Sequence, residues 1–130
     1  MQRKPINPWS WFDRLGFDQG ELIEGHQRLL LCSGQDAVDR EGQPQHPGDI
    51  EAQLDLALDN LEAVLADADM TLGNVARLNV YTTDVDQLFA HWARLKERMG
   101  EAGGRFATTV LGVAQLPAQL LVMLEATAVA

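Results

Sequence analysis

Seven apolar side chains between positions 50 and 65 recur mainly at steps of three and four residues, which places them on one face of an α-helix. They are Ile50, Leu54, Ala57, Leu58, Leu61, Val64 and Leu65. The pattern predicts a helix over residues 49–68, capped by Asp49, with Asp55, Asp59 and Glu62 on a solvated opposite face. Because such a helix must bury its apolar face against another element, the chain has to form at least two layers.

Strand patterns lie on both sides of this helix. Short apolar or alternating runs predict strands over residues 20–24, 28–33, 75–82, 106–113 and 120–129. A second amphipathic helix is predicted over residues 85–99, capped by Asp84 and ended by Gly100, Gly103 and Gly104. The element order β-β-α-β-α-β-β predicts an α+β fold of two layers, with two helices on one face of a mixed sheet.

The predicted helices can cover only one face of that sheet, and no other part of the single domain, residues 1–130, is left to cover the second face. A second copy of the chain is therefore the expected cover. Residues 1–15 form the remaining segment, and its prolines predict that it is irregular. We expect Trp9 and Trp11 in this segment either to pack as a lid or subunit contact, or to line a pocket.

The chain has 10 basic and 19 acidic residues, and its formal charge is −9. We expect neither nucleic-acid nor membrane binding, because phosphate-rich surfaces attract positive charge and no apolar run is long enough to span a bilayer. Cys32 is the only cysteine, and we expect an inert core thiol in a cytoplasmic protein that lacks a secretory signal. Because His26, His46 and His91 are scattered, neither a metal nor another cofactor is expected.

Glu125 is the only charged residue in the apolar run over residues 120–129. An unpaired carboxylate buried in such a strand would cost several kcal/mol. Glu125 therefore opens onto a water-filled pocket, has a partner, or lies at an edge position that faces solvent. In a pocket it could hold or activate a water molecule, with its pKa raised by desolvation.

Seven short segments, taken in order along the chain, resemble the Rid/YjgF family, whose type members are enamine/imine deaminases. They are residues 16–19, 33–35, 48–53, 58–61, 80–84, 113–117 and 125–129. Each segment is short, and the resemblance rests on their order and spacing over nearly the whole chain. It implies a chorismate-mutase-like fold and a homotrimer whose sheet faces meet, with a small metabolite bound in clefts between subunits.

The resemblance also implies which residues form the pocket. Glu125 matches a glutamate that holds the attacking water in the deaminases. Ser33 and Gly34 match a turn whose backbone amide faces the substrate. Phe17 falls where the deaminases usually have a tyrosine, so a hydroxyl group is missing from the pocket.

Two positions depart further from the deaminase pattern. Thr108 stands in place of the arginine that binds the substrate carboxylate, and Trp92 stands in place of a pocket asparagine. Losing a bidentate arginine–carboxylate contact costs roughly 2–5 kcal/mol, so we expect 2-imino-acid deamination to be weak. Arg105 either reaches the cleft or stays in solvent. A pocket lined by Phe17 and Trp92 suits a neutral or aromatic ligand.

Two candidate functions follow. One is an enzyme in which Glu125 directs water at the C=N or C–N centre of an imine, enamine or related metabolite, with Thr108 and the Gly34 amide orienting it. The other is a module that binds a small carbonyl or aromatic metabolite without turnover. Some family members have been described as ribonucleases, and the charge of −9 argues against that activity here.

Overall fold

The computed structural model describes residues 1–103 and 105–130. Its strands and longer helices are, in chain order, β1 (Gln2–Ile6), β2 (Gly20–Glu24), β3 (Leu29–Gln35), α1 (Ile50–Asp67), β4 (Val75–Thr82), α2 (Val85–Ala90), α3 (Trp92–Glu101), β5 (Ala107–Gly112) and β6 (Val122–Val129). The prediction of an α+β chain with a mixed sheet is confirmed. Gly104, which was predicted to help end the second helix, lies outside the described residues.

Both predicted helix caps are present. The Asp49 side chain accepts a hydrogen bond from the Ala52 backbone N–H at 3.1 Å, and the Asp84 side chain accepts one from Gln87 at 3.1 Å. The second predicted helix is not continuous, however. It is divided into α2 and α3 at His91, where the backbone leaves helical geometry with φ −112° and ψ 13°.

Four strands form the main sheet in the order β3-β6-β4-β5. The β3–β6 and β6–β4 pairs are antiparallel, and the β4–β5 pair is parallel. Parallel neighbours require a crossover connection, which α2 and α3 supply. Leu58 of α1 and Leu95 of α3 are fully buried in one core with Leu78 and Leu124 of the sheet, so the helix layer covers a single sheet face.

The sequence predicted one mixed sheet that includes β2. Strand β2 instead pairs with β1 in a separate two-stranded ribbon. The N-terminal segment is therefore not irregular throughout, because residues 2–6 form β1 and residues 10–15 form a 3₁₀ helix. A two-stranded ribbon leaves half of the backbone N–H groups without a strand partner. The missing N–H of Pro5 is therefore tolerated in β1.

Arg3 ties this ribbon to the rest of the molecule. Its guanidinium donates to the carbonyl oxygens of Gly73 at 2.8 Å, Val75 at 2.9 Å and Arg105 at 2.7 Å. It also pairs with the carboxylate of Glu21 on β2. The ribbon is thus anchored by the hydrogen bonds of one charged side chain.

Asp18 provides a second anchor, beside the start of β5. It is only 1% exposed. Its backbone N–H donates to the Phe106 carbonyl at 2.9 Å, and its carboxylate accepts a hydrogen bond from Asn7 at 2.8 Å. The same carboxylate forms an ion pair with Arg105, whose charge compensates for the burial of Asp18.

The acidic face of α1 is not simply solvated, because two arginines of α3 reach it. Arg94 lies 2.8 Å from Asp55, and Arg98 lies 2.8 Å from Asp59 and 3.0 Å from Glu62. The acids remain partly exposed, so each pair contributes at most about 1 kcal/mol. The pairs nevertheless fix how α3 lies beside α1.

Replacing Arg105 with alanine should destabilise the protein by about 1–3 kcal/mol near neutral pH, because the buried Asp18 carboxylate loses its cation. Burial alone would raise the pKa of Asp18, but the hydrogen bonds from Arg105 and Asn7 and the nearby positive charges outweigh it and hold the pKa below its ordinary value. A lowered pKa stabilises the fold above the unfolded-state pKa, and this contribution is lost as the pH falls through the folded-state pKa.

Urea unfolding at several pH values measures this effect. The difference between wild type and Arg105→Ala should be full near neutral pH and shrink below about pH 4. Arg40→Ala, in an exposed loop, is the matched control and should change little. A difference that stays constant down to acid pH would show that the ion pair with Asp18 is not its cause.

Candidate functional site

Side chains of the main sheet that point away from the helices form what we call the open sheet face. They are Leu29, Leu31, Arg77, Asn79, Tyr81, Thr109, Leu111, Met123, Glu125 and Thr127. Leu31 is 72% exposed and Leu111 is 50% exposed, whereas Leu78 and Leu124, which point towards the helices, are fully buried. Exposed apolar residues grouped on one face usually mark a contact surface.

Glu125 lies in the middle of this face. Its strand, β6, is flanked by β3 and β4, so the alternative of an edge strand was wrong. Asn79 is its register partner on β4 and donates from Nδ2 to Glu125 Oε1 at 2.9 Å. The Tyr81 hydroxyl donates to the same oxygen at 2.9 Å. The sequence left open whether Glu125 has a hydrogen-bonding partner, and the structure gives it two, Asn79 and Tyr81.

These two hydrogen bonds lower the pKa of Glu125, so the expected upward shift was wrong. Donors stabilise the ionised carboxylate, and desolvation opposes them only weakly because Glu125 borders open space. The pKa of Tyr81 is raised by the same contact, since the phenol donates to a negatively charged group. Glu125 is therefore an ionised carboxylate near neutral pH, which is the form that a general base requires.

A cavity of about 240 Å³ opens beside Glu125. Its lining residues are Leu31, Cys32, Arg77, Asn79, Glu125, Ala126 and Thr127. The guanidinium of Arg77 donates to Thr109 Oγ1 at 3.3 Å and forms no ion pair with the described residues. Cys32 is buried, and burial raises the pKa of its thiol, in keeping with the inert thiol that the sequence predicted.

Ser33 and Gly34 form a bulge on β3, next to the strand of Glu125. The register shifts there, between the pair Cys32–Ala126 and the pair that follows it. A Cβ atom at position 34 would overlap the Met123 thioether, so only glycine fits without displacing that side chain. The structure thus brings Ser33 and Gly34 to the same side of the sheet as Glu125.

The other predicted residues lie elsewhere. Phe17 and Trp92 meet with ring centroids 5.9 Å apart, in an aromatic cluster that packs against the helix-side core and includes Phe12 and Phe106. Thr108 is the register partner of Leu78, shares its direction towards the helices, and donates its hydroxyl to the Leu78 carbonyl.

The six predicted site residues therefore fall into two groups within one chain. Glu125, Ser33 and Gly34 form one group on the open sheet face, and Phe17, Trp92 and Thr108 form the other on the helix side. The cavity beside Glu125 is lined by none of Phe17, Trp92 and Thr108.

The residues whose role the sequence left open also lie outside this cavity. Trp9 and Trp11 are exposed, at 60% and 56%. Arg105 forms an ion pair with Asp18 and does not line the cavity beside Glu125.

Sequence reasoning missed Arg77, Asn79 and Tyr81. The signal was present, because these polar residues alternate with buried apolar ones along β4. Alternation of this kind places all three on one face of a strand. Only the register between β4 and β6 then shows that this face carries Glu125.

Among residues 1–103 and 105–130, no three His, Cys, Asp or Glu side chains lie close enough to hold a metal ion. Within the same residues, no helix has the length and apolar character that crossing a membrane requires.

The family model described as Endoribonuclease L-PSP matches residues 19–130. The chain belongs to this family, the Rid/YjgF family. A crystal structure of the Rid-family protein YyfB from Yersinia pestis, a protein of unknown function, superposes with a TM-score of 0.88 at 30% identity and full coverage of both chains.

One further relative is named for an enzymatic activity, and the crystal structure of another contains a bound ligand. The 2-iminobutanoate/2-iminopropanoate deaminase of Escherichia coli is 28% identical over 113 residues, which is 85% of this chain and 88% of the relative. A crystal structure of E. coli TdcF with bound serine superposes with a TM-score of 0.71 at 27% identity, covering 100% of this chain and 95% of that one. The family therefore includes imine deaminases and a member that binds a small metabolite.

Proposed function

We propose that the chain is a cytoplasmic homotrimeric hydrolase of imines or enamines, in which Glu125 activates the attacking water. The observation that carries this proposal is the carboxylate itself. Asn79 and Tyr81 both donate to one of its oxygens, and the carboxylate borders a cavity of about 240 Å³. Membership of a family that includes imine deaminases gives the reaction class.

The trimer explains how the two groups of predicted residues could meet. The open sheet face exposes Leu29, Leu31 and Leu111, which association would remove from water. If the open faces of three copies pack together, the Phe17 and Trp92 group of one subunit could lie beside Glu125 of its neighbour. The substrate cleft would then be complete only in the assembly.

The chemistry requires one base and a positioned imine. Glu125 takes a proton from water as the water oxygen attacks the C=N carbon, and it returns that proton to the nitrogen, which has received the C=N electron pair. In the resulting carbinolamine, Glu125 takes the hydroxyl proton and passes it to the amino group as the C–N bond breaks, so ammonia leaves and a carbonyl product remains. An enamine enters the same route after it tautomerises to the imine.

Other residues would orient the substrate. The Gly34 amide lies in the bulge on the Glu125 side, whereas Thr108 could contribute from a neighbouring subunit if its hydroxyl turned away from Leu78. Position 108 has no arginine, but a different cation, Arg77, lines the cavity beside Glu125. Arg77 comes from another strand than position 108, so we expect it to replace the deaminase arginine only in part, and a small substrate that does not depend on a carboxylate contact should suffer least from the difference.

The wild-type protein should release ammonia from freshly generated 2-aminoacrylate faster than buffer does, at a modest rate. A small imine without a carboxylate should be hydrolysed faster, because it does not depend on the missing arginine at position 108. Both rates are measured by coupled ammonia detection. If neither substrate reacts faster than in buffer, the hydrolase proposal is rejected.

The second candidate function is ligand binding without turnover, favoured by the aromatic cluster around Phe17 and Trp92. Thermal-shift screening with keto acids and aromatic metabolites separates the two candidates. A concentration-dependent rise in Tm without product formation would support the binding module.

A further inference from the structure

We propose that Tyr81 and Asn79 are positioning residues that hold Glu125 as an ionised base with a single free oxygen. Both side chains come from β4 at positions two apart, so they point the same way and reach the same carboxylate. The catalytic part of this proposal rests on the proposed function. The coupling between Tyr81 and Glu125 does not, and it can be measured without substrate.

The geometry distinguishes the two carboxylate oxygens. Asn79 Nδ2 and the Tyr81 hydroxyl both donate to Oε1, each at 2.9 Å. Two donors from fixed strand positions restrict rotation of the carboxylate. Oε2 accepts no hydrogen bond from the described residues, so it is the atom available to take a proton from water.

The charges around the pair are few. On β4, Arg77 is the other charged group near Tyr81, and Asn79 is neutral. The residues of β3 and β5 on this face are apolar or hydroxyl-bearing, and the thiol of Cys32 belongs to the core on the helix side. The contact with Glu125 is the largest cause of the raised pKa of Tyr81, so removing the carboxylate charge should lower it.

Tyr81 is the only tyrosine in the chain, so its ionisation can be read directly from the ultraviolet absorbance of tyrosinate. We expect the wild-type Tyr81 to titrate above the ordinary value of about 10, and Tyr81 of the Glu125→Gln variant to titrate at a lower pH than in the wild type. Glu41→Gln removes an equal charge from an exposed loop and is the matched control. Identical tyrosine titrations in wild type and Glu125→Gln would overturn the proposal.

A reciprocal measurement avoids alkaline pH. In protein labelled with ¹³C at glutamate carboxyl carbons, the Glu125 resonance is assigned as the one that Glu125→Gln removes. Its pKa should rise in Tyr81→Phe and in Asn79→Leu, because each variant removes one donor to the carboxylate. An unchanged Glu125 pKa in both folded variants would overturn the proposal as well.

Kinetics then test the catalytic part. Tyr81→Phe should lower kcat about threefold to tenfold with little change in KM, and should move the acid limb of the kcat/KM pH profile upward. A purely structural role would lower activity without moving that limb. If the wild type shows no hydrolysis, the proposed function fails, whereas the two titrations still decide whether Tyr81 and Asn79 set the ionisation of Glu125.

Discussion

Replacing Glu125 with glutamine should reduce imine hydrolysis by at least about 100-fold while leaving the fold intact, because the amide cannot accept the proton from water. The variant is nearly isosteric. Its side-chain oxygen can still accept the hydrogen bonds from Asn79 and Tyr81, so little structural change is expected. The measurement is kcat from ammonia release, with circular dichroism as the check of folding.

The pH dependence gives this prediction a second test. A general base works in its ionised form, and the pKa of Glu125 is lowered by its two hydrogen bonds. Wild-type activity should therefore persist to a pH below the ordinary glutamate pKa of about 4.3, as long as the protein stays folded. Glu41→Gln should keep full activity. If Glu125→Gln retained activity within twofold of wild type, the assignment of Glu125 as the base would be wrong.

Replacing Leu31 with glutamate should convert the proposed trimer into single chains. Leu31 is the most exposed of the large hydrophobic residues, at 72%, and lies on the open sheet face next to Glu125. In a trimer its side chain would be buried against a neighbour, and a carboxylate without a partner there costs several kcal/mol in every copy. Light scattering should show the mass falling from three chains of 14.3 kDa to one.

Activity should fall with the loss of assembly, because the Phe17 and Trp92 group would come from the neighbouring subunit. Leu22→Glu is the matched control, since Leu22 is an exposed leucine on the β1–β2 ribbon instead of the open sheet face. A Leu31→Glu protein that stays trimeric, or a wild type that is monomeric, would contradict this arrangement of subunits.

Local signals were enough to predict the helix layer, apart from the break at His91 that divides α2 from α3. The stripe from Ile50 to Leu65 and the caps Asp49 and Asp84 act over three or four residues, so their outcome depends little on the rest of the chain. The ribbon was not predictable in this way. Its anchors, Arg3 and Asp18, bond to groups 70 or more residues away, and such contacts leave no periodic pattern.

The candidate site was predictable only in part. Glu125 was conspicuous because it is a lone charge in an apolar strand. Its partners Asn79 and Tyr81 lie 46 and 44 residues earlier in the chain, and only the strand register joins them. The direction of its pKa shift depended on those partners. Thr108 was assigned to the pocket by its spacing along the chain. That spacing does not reveal on which face of the sheet a side chain of β5 lies.

The bulge at Ser33 and Gly34 has a consequence for the solubility of a single copy of the chain. Strand β3 is the outermost strand on one side of the main sheet, and outer strands invite the edge-to-edge stacking that produces fibrils. An interrupted, more strongly twisted rim is a poor template for such growth. A monomer that has not yet joined the proposed trimer is therefore expected to resist this kind of stacking even while its leucines are exposed.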